Sequence, residues 1–331
     1  MGFTIRIAHS DHAFPCDAGE SVLEASGRAG LEIPYSCRKG VCLTCSGRVM
    51  AGQVALPEGV RDAARGAFDA LLCTAKPRSD LVIAPRRVAR VTAAGAPRQA
   101  TATVFRIGAV GHGVVRLQLR FPIGRRMAFR AGQSLEIILP TGARRSYSMA
   151  NSPGEADGVE LHVRVHPNGM FSDMLLGRMR LGDTLTLNLP LGSIQLDGHA
   201  ARPLLLLATG TGFAPVASIL EEAVRRRWTR KLILYRGGRQ AEDLYLPELA
   251  RRWTRRLHDF RQVAVLSRAG PGWEGRRGHV QDAAVADFPY LAGSDLYASG
   301  SPAMVAGARA QALAHGLAQD AFHADAFVAA S

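Results

Sequence analysis

The chain has 331 residues, of which 47% are hydrophobic and 21% charged; this ordinary globular composition excludes wholesale disorder and a fibrous repeat. The net charge of +13 divides as +3, +5 and +5 among residues 1–90, 91–200 and 201–331, and 38 of the 41 basic residues are arginines, which indicates a compositional bias rather than a nucleic-acid-binding face. The longest aliphatic run, 204–208, is far shorter than the roughly 20 residues that span a bilayer, and the N-terminus lacks the apolar segment of a signal peptide, so we expect a cytoplasmic protein that binds neither membranes nor nucleic acids.

Residues 1–90 predict a small domain of short strands around one helix. Phe3–Ala8 alternates apolar and polar side chains, as a half-buried strand does. Ser21 and Glu24 have the spacing of a capping box, which opens a helix. The stretch after this domain, 91–100, has many small residues and predicts a linker.

Four of the five cysteines have the spacing of plant-type [2Fe–2S] proteins, C-x4-C-x2-C with a fourth cysteine after 27 further residues. These candidate metal ligands are Cys37, Cys42, Cys45 and Cys73. A structural zinc site, the alternative, would more often have two separate C-x2-C pairs, whereas this chain has one. Small residues in the loop leave backbone N–H groups able to hydrogen-bond to sulfur. Cys16 lies outside the loop and is interpreted as a buried apolar residue.

Residues 101–199 predict a small antiparallel barrel, because several short alternating strands follow one another with Gly and Pro turns between them. One strand runs into Arg145-Ser146-Tyr147-Ser148, which offers an arginine for a phosphate, a ring for stacking and a hydroxyl for a ring nitrogen. Further along, Gly169-Met170-Phe171-Ser172 leads into a predicted short helix, Ser172–Leu176, whose first N–H groups could bind a pyrophosphate. Each motif alone could be an ordinary strand end or turn. Together, after an iron–sulfur motif, they favour a flavin.

Residues 200–331 predict a parallel α/β domain, in which strands alternate with helices. The buried strand 204–208 is joined to a helix by a glycine-rich turn that could bind a dinucleotide phosphate. The candidate residues in this turn are Gly210, Thr211, Gly212 and Pro215. Because the turn is not G-x-G-x-x-G, the usual Rossmann fingerprint does not apply to it directly.

Two further turns of this domain are candidate parts of a nicotinamide site. Arg236 and Arg239 follow the second strand, where an arginine accommodates the 2′-phosphate of NADPH. Glu242 and Asp243 lie close behind them, and an acid in this region could instead bind the ribose 2′-hydroxyl of NADH, so NADH remains an alternative. The last strand runs into a third turn, with the candidate residues Ser299, Gly300, Pro302 and Met304. Phe327, near the C-terminus, either stacks on a flavin ring or closes the core.

In this order, the motifs resemble the single-chain reductase components of multicomponent aromatic-ring-hydroxylating (Rieske-type) dioxygenases. The resemblance covers the whole chain and is carried by Ala13–Cys16, Tyr35–Gly40, Arg145–Asn151 and Phe322–Asp325. It implies a β-grasp plant-type ferredoxin domain, then a six-stranded antiparallel FAD-binding β-barrel, then a Rossmann-like parallel α/β domain for NADPH or NADH.

The resemblance also implies roles for individual residues. The four cysteines would hold the [2Fe–2S] cluster, and Ser148 would lie near flavin N5. Other flavin contacts would come from Arg145, Ser146, Tyr147, the backbone of His162, Val163 and Val165, and, at the pyrophosphate, Gly169, Met170, Phe171 and Ser172. Gly210–Pro215 and Gly300–Met304 would receive the nicotinamide cofactor. Ser148 and Ser299 are the candidate catalytic residues.

Two positions depart from the family pattern. Leu43 stands where the family often has glycine, so the conformation of the cluster loop is in question. Ser299 stands where relatives often have cysteine, so any role special to sulfur is absent. Neither departure removes a cofactor ligand.

The implied activity is electron transfer: a hydride passes from NAD(P)H to FAD, and single electrons pass through the cluster to a separate Rieske-type terminal oxygenase acting on an aromatic acid such as terephthalate. The logic is electron counting, because nicotinamide gives two electrons together, the cluster takes one, and a flavin exchanges electrons in both ways. The alternatives are the reductase of a di-iron monooxygenase or of a sugar-deoxygenation system and, from another class, a redox-sensing protein.

Overall fold

The computed structural model describes residues 2–92, 95–154 and 157–328. The chain forms two compact units, Met1–Ala96 and Pro97–Ser331, called unit 1 and unit 2 below. Residues 93 and 94 of the predicted linker lie outside the described residues. In the part of the chain that is described, no helix is both long and apolar enough to cross a membrane.

Unit 1 is a mixed sheet with one helix packed on it. Its elements are β1 (Gly2–Ile7), β2 (Ala13–Asp17), α1 (Val22–Arg28), β3 (Leu31–Glu32), β4 (Ser46–Ala51), β5 (Gln53–Leu56), β6 (Gly59–Asp62), β7 (Phe68–Leu71), β8 (Lys76–Pro77), β9 (Leu81–Pro85) and β10 (Ala89–Arg90). The main sheet has the order β2-β1-β9-β4-β7, and only the β1–β9 pairing in it is parallel.

Helix α1 begins with the predicted capping box. The N–H of Glu24 donates to Ser21 Oγ, and the Glu24 carboxylate accepts a hydrogen bond from the N–H of Ser21. The buried residue Val22 of this helix joins a core with Ile5 and Ile83 of the sheet. A helix packed across a mixed sheet in this way confirms the predicted β-grasp fold.

The first half of unit 2 is a six-stranded antiparallel barrel, as predicted. Its elements are β11 (Arg98–Gly111), β12 (Val114–Arg120), β13 (Ser134–Ile138), β14 (Arg144–Ser148), β15 (Gly158–Arg164), α2 (Met170–Asp173) and β16 (Thr184–Leu191). The strand order is β14-β13-β16-β11-β12-β15. A bridge between Met149 and Leu161 then brings the end of β14 back to β15. Closure of this kind leaves few unpaired strand edges.

The second half of unit 2 is a parallel sheet with helices. Its elements are β17 (Leu204–Thr209), α3 (Phe213–Arg226), β18 (Leu232–Gly238), α4 (Pro247–Arg256), β19 (Phe260–Leu266), β20 (Arg276–Arg277), α5 (Val280–Asp287), β21 (Asp295–Gly300), α6 (Pro302–Ala314) and β22 (Phe322–Ala326). All strands are parallel, in the order β20-β19-β18-β17-β21-β22. From β17 the chain adds strands first on one side, as far as β20, and then on the other side, as β21 and β22. Ligands of open α/β sheets bind at the carboxyl ends of the strands beside such a switch point.

Two predicted boundaries were wrong. Strand β11 begins at Arg98, inside the stretch expected to be linker, because Arg98–Thr103 pairs with β16. The helix expected at Ser172–Leu176 begins at Met170 instead, and a π-helical turn, Met174–Arg178, follows it. The reason is that Ser172 does not cap the helix: its Oγ accepts a hydrogen bond from the N–H of His166 (3.0 Å), which folds the preceding turn.

Candidate functional site

The four cysteines predicted to hold the cluster lie in two pairs, and within each pair one thiol donates a hydrogen bond to the other sulfur. The bond from Cys42 lowers the pKa of Cys37 to about 5, and the bond from Cys45 lowers the pKa of Cys73. The pKa values of the two donors, Cys42 and Cys45, are raised by these hydrogen bonds and by burial. The fold therefore brings together a loop and a distant segment, as the spacing requires.

Backbone N–H groups of the loop point at these sulfurs. Those of Lys39 and Cys42 lie 3.4 Å from Cys37 Sγ, and that of Gly40 donates to Cys73. Left-handed backbone conformations at Arg38, Gly40 and Leu43 (φ 55°, 75° and 61°) fold the loop around the sulfurs. At Leu43 this is the conformation that glycine adopts freely and that costs other residues roughly 1–2 kcal/mol. Leu43, which stands where the family often has glycine, therefore keeps the left-handed backbone conformation that a glycine would adopt there.

This set of donors fits a [2Fe–2S] cluster. Such a cluster is held by four cysteine thiolates on two irons, which matches two pairs of cysteines, and hydrogen bonds to sulfur stabilise the thiolates. Among the described residues, no group of three or more His, Cys, Asp and Glu side chains is placed to hold a metal ion. Cys16 is fully buried, and burial raises the pKa of its thiol to about 11, so it behaves as the apolar residue that was expected.

The residues predicted to contact a flavin come together at one end of the barrel. Strand β14 ends at Ser148 beside β15, and the Tyr147 ring lies 5.3 Å from the ring of Phe171 in α2. Burial raises the pKa of Tyr147. Arg145 is half-buried on the same strand, whereas Ser146 and Met170 are exposed. Gly169 occupies the N-cap position of α2. Their contacts with FAD stay a prediction.

The His162 side chain has a different use from the backbone contact expected there. It is buried, with Nδ1 3.0 Å from the hydroxyl of Tyr245 and Nε2 3.1 Å from Glu160 Oε1. Tyr245 belongs to the nucleotide half of unit 2, so His162 joins that half to the barrel. The adjacent Val163 is buried and Val165 half-buried.

A cavity of about 810 Å³ lies at the carboxyl ends of the parallel strands. The nucleotide half lines it with Thr209, Gly210, Gly237, Gly238, Arg239, Asp243, Val265, Ser267, Gly278, His279, Val280, Gln281, Ser301, Ala303 and Met304. The barrel contributes Arg164 and His166. Of the predicted nicotinamide residues, Gly210, Arg239 and Met304 therefore line the cavity. A volume of this size suits a cofactor site.

The predicted role of Arg236 was wrong. It was expected to face the 2′-phosphate of a cofactor, but it is 2% exposed and does not line the cavity. Its guanidinium lies 3.7 Å from the centre of the Phe213 ring and donates to the carbonyl of Tyr245. Burial lowers its pKa to about 10. The side chain at this position on central strand β18 points into the core, and the part of β18 that lines the cavity begins one residue later, at Gly237.

The turns after β17 and β21 pack directly on each other. A side chain at Gly212 would collide with the backbone of Ser299, and one at Gly300 (φ 154°) would collide with Thr209. Ser299 is fully buried behind this contact, with no hydrogen-bond partner for its Oγ among the described residues. Its catalytic role stays a prediction.

The remaining predicted residues lie around the same two turns. Thr211 is in the 3-10 turn after β17, Pro215 is buried in the first turn of α3, and Pro302 opens α6. Phe327 is half-buried, and its N–H donates to the carbonyl of Gly300 (2.8 Å). Whether its ring covers a flavin stays a prediction.

Sequence reasoning gave no role to several residues that the fold brings to the site. Asp325 on β22 accepts a hydrogen bond from Ser148 Oγ, and only its place in a recognised C-terminal motif singled it out. Arg164 and His166 reach the nucleotide cavity from the barrel. Nothing in the local sequence signals that approach, because it depends on how the two halves of unit 2 pack.

Three family models match consecutive parts of the chain. They are a 2Fe-2S iron-sulfur cluster binding domain at residues 5–78, an oxidoreductase FAD-binding domain at 101–196 and an oxidoreductase NAD-binding domain at 206–310.

Several relatives match over nearly the full length of this chain. Reductase component 2 of terephthalate 1,2-dioxygenase from Comamonas sp. is 41% identical over 99% of this chain and 98% of its own. The CDP-6-deoxy-L-threo-D-glycero-4-hexulose-3-dehydrase reductase of Yersinia pseudotuberculosis is 32% identical over 99% of both. The crystal structure of an Amycolatopsis cytochrome P450 reductase superposes with a TM-score of 0.78 at 32% identity, covering 99% of this chain and 100% of that one.

Proposed function

Because the chain belongs to the family of oxygenase reductase components that carry a 2Fe-2S domain, an FAD-binding domain and an NAD-binding domain, we propose that it supplies electrons to a Rieske-type oxygenase acting on an aromatic acid such as terephthalate. The residues proposed to hold the [2Fe–2S] cluster are the four paired cysteines. The FAD site is proposed at the end of β14, on β15 and at α2, and the NAD(P)H site in the cavity at the carboxyl ends of the parallel strands. We further propose domain limits of 1–90, 98–199 and 200–331, with a linker that is shorter than the predicted 91–100 because β11 begins at Arg98.

The observation that carries this proposal is the arrangement of the cysteines in two hydrogen-bonded pairs on the same chain as the barrel and the nucleotide cavity. When bound, FAD accepts electrons in pairs and releases them singly, which a cluster requires. A chain with only the barrel and the parallel sheet could oxidise a nicotinamide but would have no iron–sulfur centre through which to pass single electrons to a protein partner.

The protein's own groups position the reaction. The buried Ser148 hydroxyl donates its proton to Asp325, so its oxygen would be available to accept a hydrogen bond from N5–H of a reduced flavin. The turn after β17 offers backbone N–H groups to the cofactor pyrophosphate. Arg164 adds a positive charge to the same cavity from the barrel side. No general acid or base is needed for hydride transfer itself.

The test is the variant Cys42→Ser, with Cys16→Ser as the matched control. We expect Cys42→Ser to keep FAD and to reduce a flavin-level acceptor such as ferricyanide with NAD(P)H. Its transfer to a one-electron protein acceptor such as cytochrome c should fall at least tenfold. The control should keep both activities. Equal survival of both activities in Cys42→Ser would remove the cluster from the route, and a purified protein without iron and acid-labile sulfide would end the proposal.

The partner is tested by reconstitution. The purified chain is mixed with the oxygenase component of a terephthalate 1,2-dioxygenase, terephthalate and NAD(P)H, and the dihydroxylated product is measured. A second candidate partner is a sugar dehydrase, since the full-length 32% relative is named as the reductase of one. Turnover with that dehydrase and none with the oxygenase would replace the terephthalate assignment and leave the reductase activity intact.

A further inference from the structure

A run of hydrogen-bonded polar side chains joins the barrel to the loop after β18. Gln118 Nε2 donates to Glu160 Oε2 (2.6 Å). The His162 ring follows, with Nε2 3.1 Å from Glu160 Oε1 and Nδ1 3.0 Å from the Tyr245 hydroxyl. Burial would raise the pKa of Glu160, but the hydrogen bonds from His162 and Gln118 outweigh burial and lower it from 4.5. Because an ionised carboxylate only accepts hydrogen bonds, His162 Nε2 donates to it, and Nδ1 is left for Tyr245.

The two rings of this run pack against a third ring, that of Phe213. The His162 ring is stacked on it with the ring centres 6.4 Å apart, and the Tyr245 ring meets both of the others edge-on, at 5.3 and 5.5 Å. Aromatic rings favour this edge-to-face arrangement. Phe213 is the first residue of α3 and directly follows the glycine-rich turn Gly210–Gly212. The His162 ring therefore lies against two segments of the nucleotide half at once.

Tyr245 fits closely against the barrel. A Cβ at Gly111 on β11 would lie 2.4 Å from the Tyr245 Cβ, so the tyrosine can approach this strand only because Gly111 has no side chain. The Tyr245 carbonyl also accepts a hydrogen bond from Arg236 on β18. Asp243, two residues before Tyr245, lines the nucleotide cavity. A displacement of Tyr245 would therefore reach the wall of the cavity.

The other end of the run belongs to the strand proposed to carry the flavin. The backbone of β15 from His162 onward is the part proposed to line FAD. Two residues beyond His162, Arg164 lines the nucleotide cavity, and its guanidinium donates to the carbonyl of His112 (2.8 Å). His162 is thus the point on β15 at which the flavin strand is held against the nucleotide half.

We propose that His162, through its hydrogen bond to Tyr245, is a positioning residue that sets the separation between the flavin strand and the nicotinamide cavity. The inference rests on the proposed function and names a side chain that acts in it through other residues. Hydride transfer needs the reacting atoms at about 3–3.5 Å, and a misplacement of about 1 Å can cost about 100-fold in rate. Among the described residues that line the cavity, all but Arg164 and His166 belong to the nucleotide half. A change in the separation should therefore alter the rate of transfer far more than the affinity for the nucleotide.

The experiment uses Tyr245→Phe in the FAD-loaded protein, because this change removes the hydroxyl and keeps the ring. The limiting rate of flavin reduction at saturating NAD(P)H, measured in stopped flow, should fall about 3- to 10-fold, the effect of losing one hydrogen bond, while the Kd of the nucleotide changes less than about twofold. The long-wavelength charge-transfer absorbance of the reduced protein with NAD(P)+, which reports how closely nicotinamide and flavin stack, should weaken. Tyr290→Phe, at an exposed tyrosine, is the matched control and should leave all three values unchanged.

A second variant, His162→Gln, tests whether the two residues act together. The glutamine amide keeps a donor for Glu160 but has no atom in place of Nδ1, so adding Tyr245→Phe to it should cost little more. Tyr245→Phe alone decides the question if His162→Gln fails to fold. An unchanged limiting rate and absorbance in Tyr245→Phe, even with a lower Tm, would overturn the proposal, and so would additive losses in the double variant. A wild type that binds FAD but is reduced by neither NADPH nor NADH would instead be the failure of the proposed function.

Discussion

The Ser148 hydroxyl donates a hydrogen bond of 2.8 Å to Asp325 Oδ2, a carboxylate 177 residues further along the chain. Ser148 ends strand β14 of the barrel, and Asp325 lies on β22, one of the two edge strands of the parallel sheet. The bond joins the two halves of unit 2 at the place where flavin and nicotinamide are proposed to meet. It also fixes the direction of a hydroxyl that would otherwise rotate.

Replacing Asp325 with alanine is expected to slow hydride transfer without loss of FAD. The Ser148 hydroxyl would lose its charged acceptor, and a hydrogen bond to a charged group contributes roughly 1.5–3 kcal/mol, so we expect about a tenfold or larger decrease. The measurement is the rate of flavin reduction by NADPH in stopped flow. Asp325→Asn keeps an acceptor oxygen and should lose less.

A double-mutant cycle with Ser148→Ala tests whether the two residues act together. If Asp325 acts through Ser148, the two substitutions should cost much less together than the sum of their separate effects. Additive losses would show that Asp325 acts on the reaction independently of the serine.

The turn after β17 should not tolerate a side chain at Gly212. A Cβ there would collide with the backbone of Ser299, so Gly212→Ala should move the turn away from β21, raise KM for the nicotinamide cofactor several-fold and destabilise unit 2 by about 1–3 kcal/mol. The control is Gly177→Ala, since a Cβ at Gly177 meets nothing within 4 Å. A Gly212→Ala protein with unchanged KM and Tm would contradict this packing.

The convergence of the four cysteines and the three-domain order could be predicted from the sequence because they depend on local spacing and strand periodicity. C-x4-C-x2-C is set within one loop, and the alternation in β12 and β15 reports directly which face is buried. The roles of Arg236 and Arg239 could not be separated in this way. They are three residues apart on one strand end, and only the sheet's position decides that the first points at Phe213 and the second at the cavity.

The same reason explains why Asp325 and Arg164 were missed as functional residues. Each contributes to a site built mainly by the other half of unit 2. Hydrophobic patterning indicates the core of each half, whereas their contact also depends on buried polar pairs such as His162 and Tyr245. Such pairs leave no periodic signal in a single sequence.

Arg236 is expected to matter for stability rather than for cofactor choice. Arg236→Ala would remove the cation that lies on the Phe213 ring and the donor to the Tyr245 carbonyl, leaving a buried cavity, so we expect a loss of about 2–4 kcal/mol. For a unit of this size that corresponds to a Tm lower by roughly 4–16 °C. The comparison is Arg239→Ala, which should leave Tm nearly unchanged. A lower NADPH preference without a lower Tm in Arg236→Ala would restore its predicted role at the cofactor.

Glu222 gives unit 2 a stability that depends on pH. Its side chain is buried, accepts hydrogen bonds from Ser152 of the barrel (2.6 Å) and from Arg225 (2.6 and 2.9 Å), and forms an ion pair with Arg226. Burial alone would raise its pKa, but the hydrogen bonds from Arg225 and Ser152 and the charges of the arginines outweigh burial, so the pKa is lowered from 4.5.

Because the folded protein binds this proton more weakly than the unfolded chain, the charged carboxylate stabilises the fold above pH 4.5, and the stabilisation is lost as the pH falls through the lowered pKa. Glu222→Gln should therefore lower Tm at pH 7, and its difference from the wild type should shrink below about pH 4. The control Glu58→Gln, at an exposed position of unit 1, should stay within about 0.5 kcal/mol of the wild type throughout. A difference between Glu222→Gln and the wild type that persisted unchanged at low pH would mean that the shape of the side chain, rather than its charge, holds the barrel loop to α3.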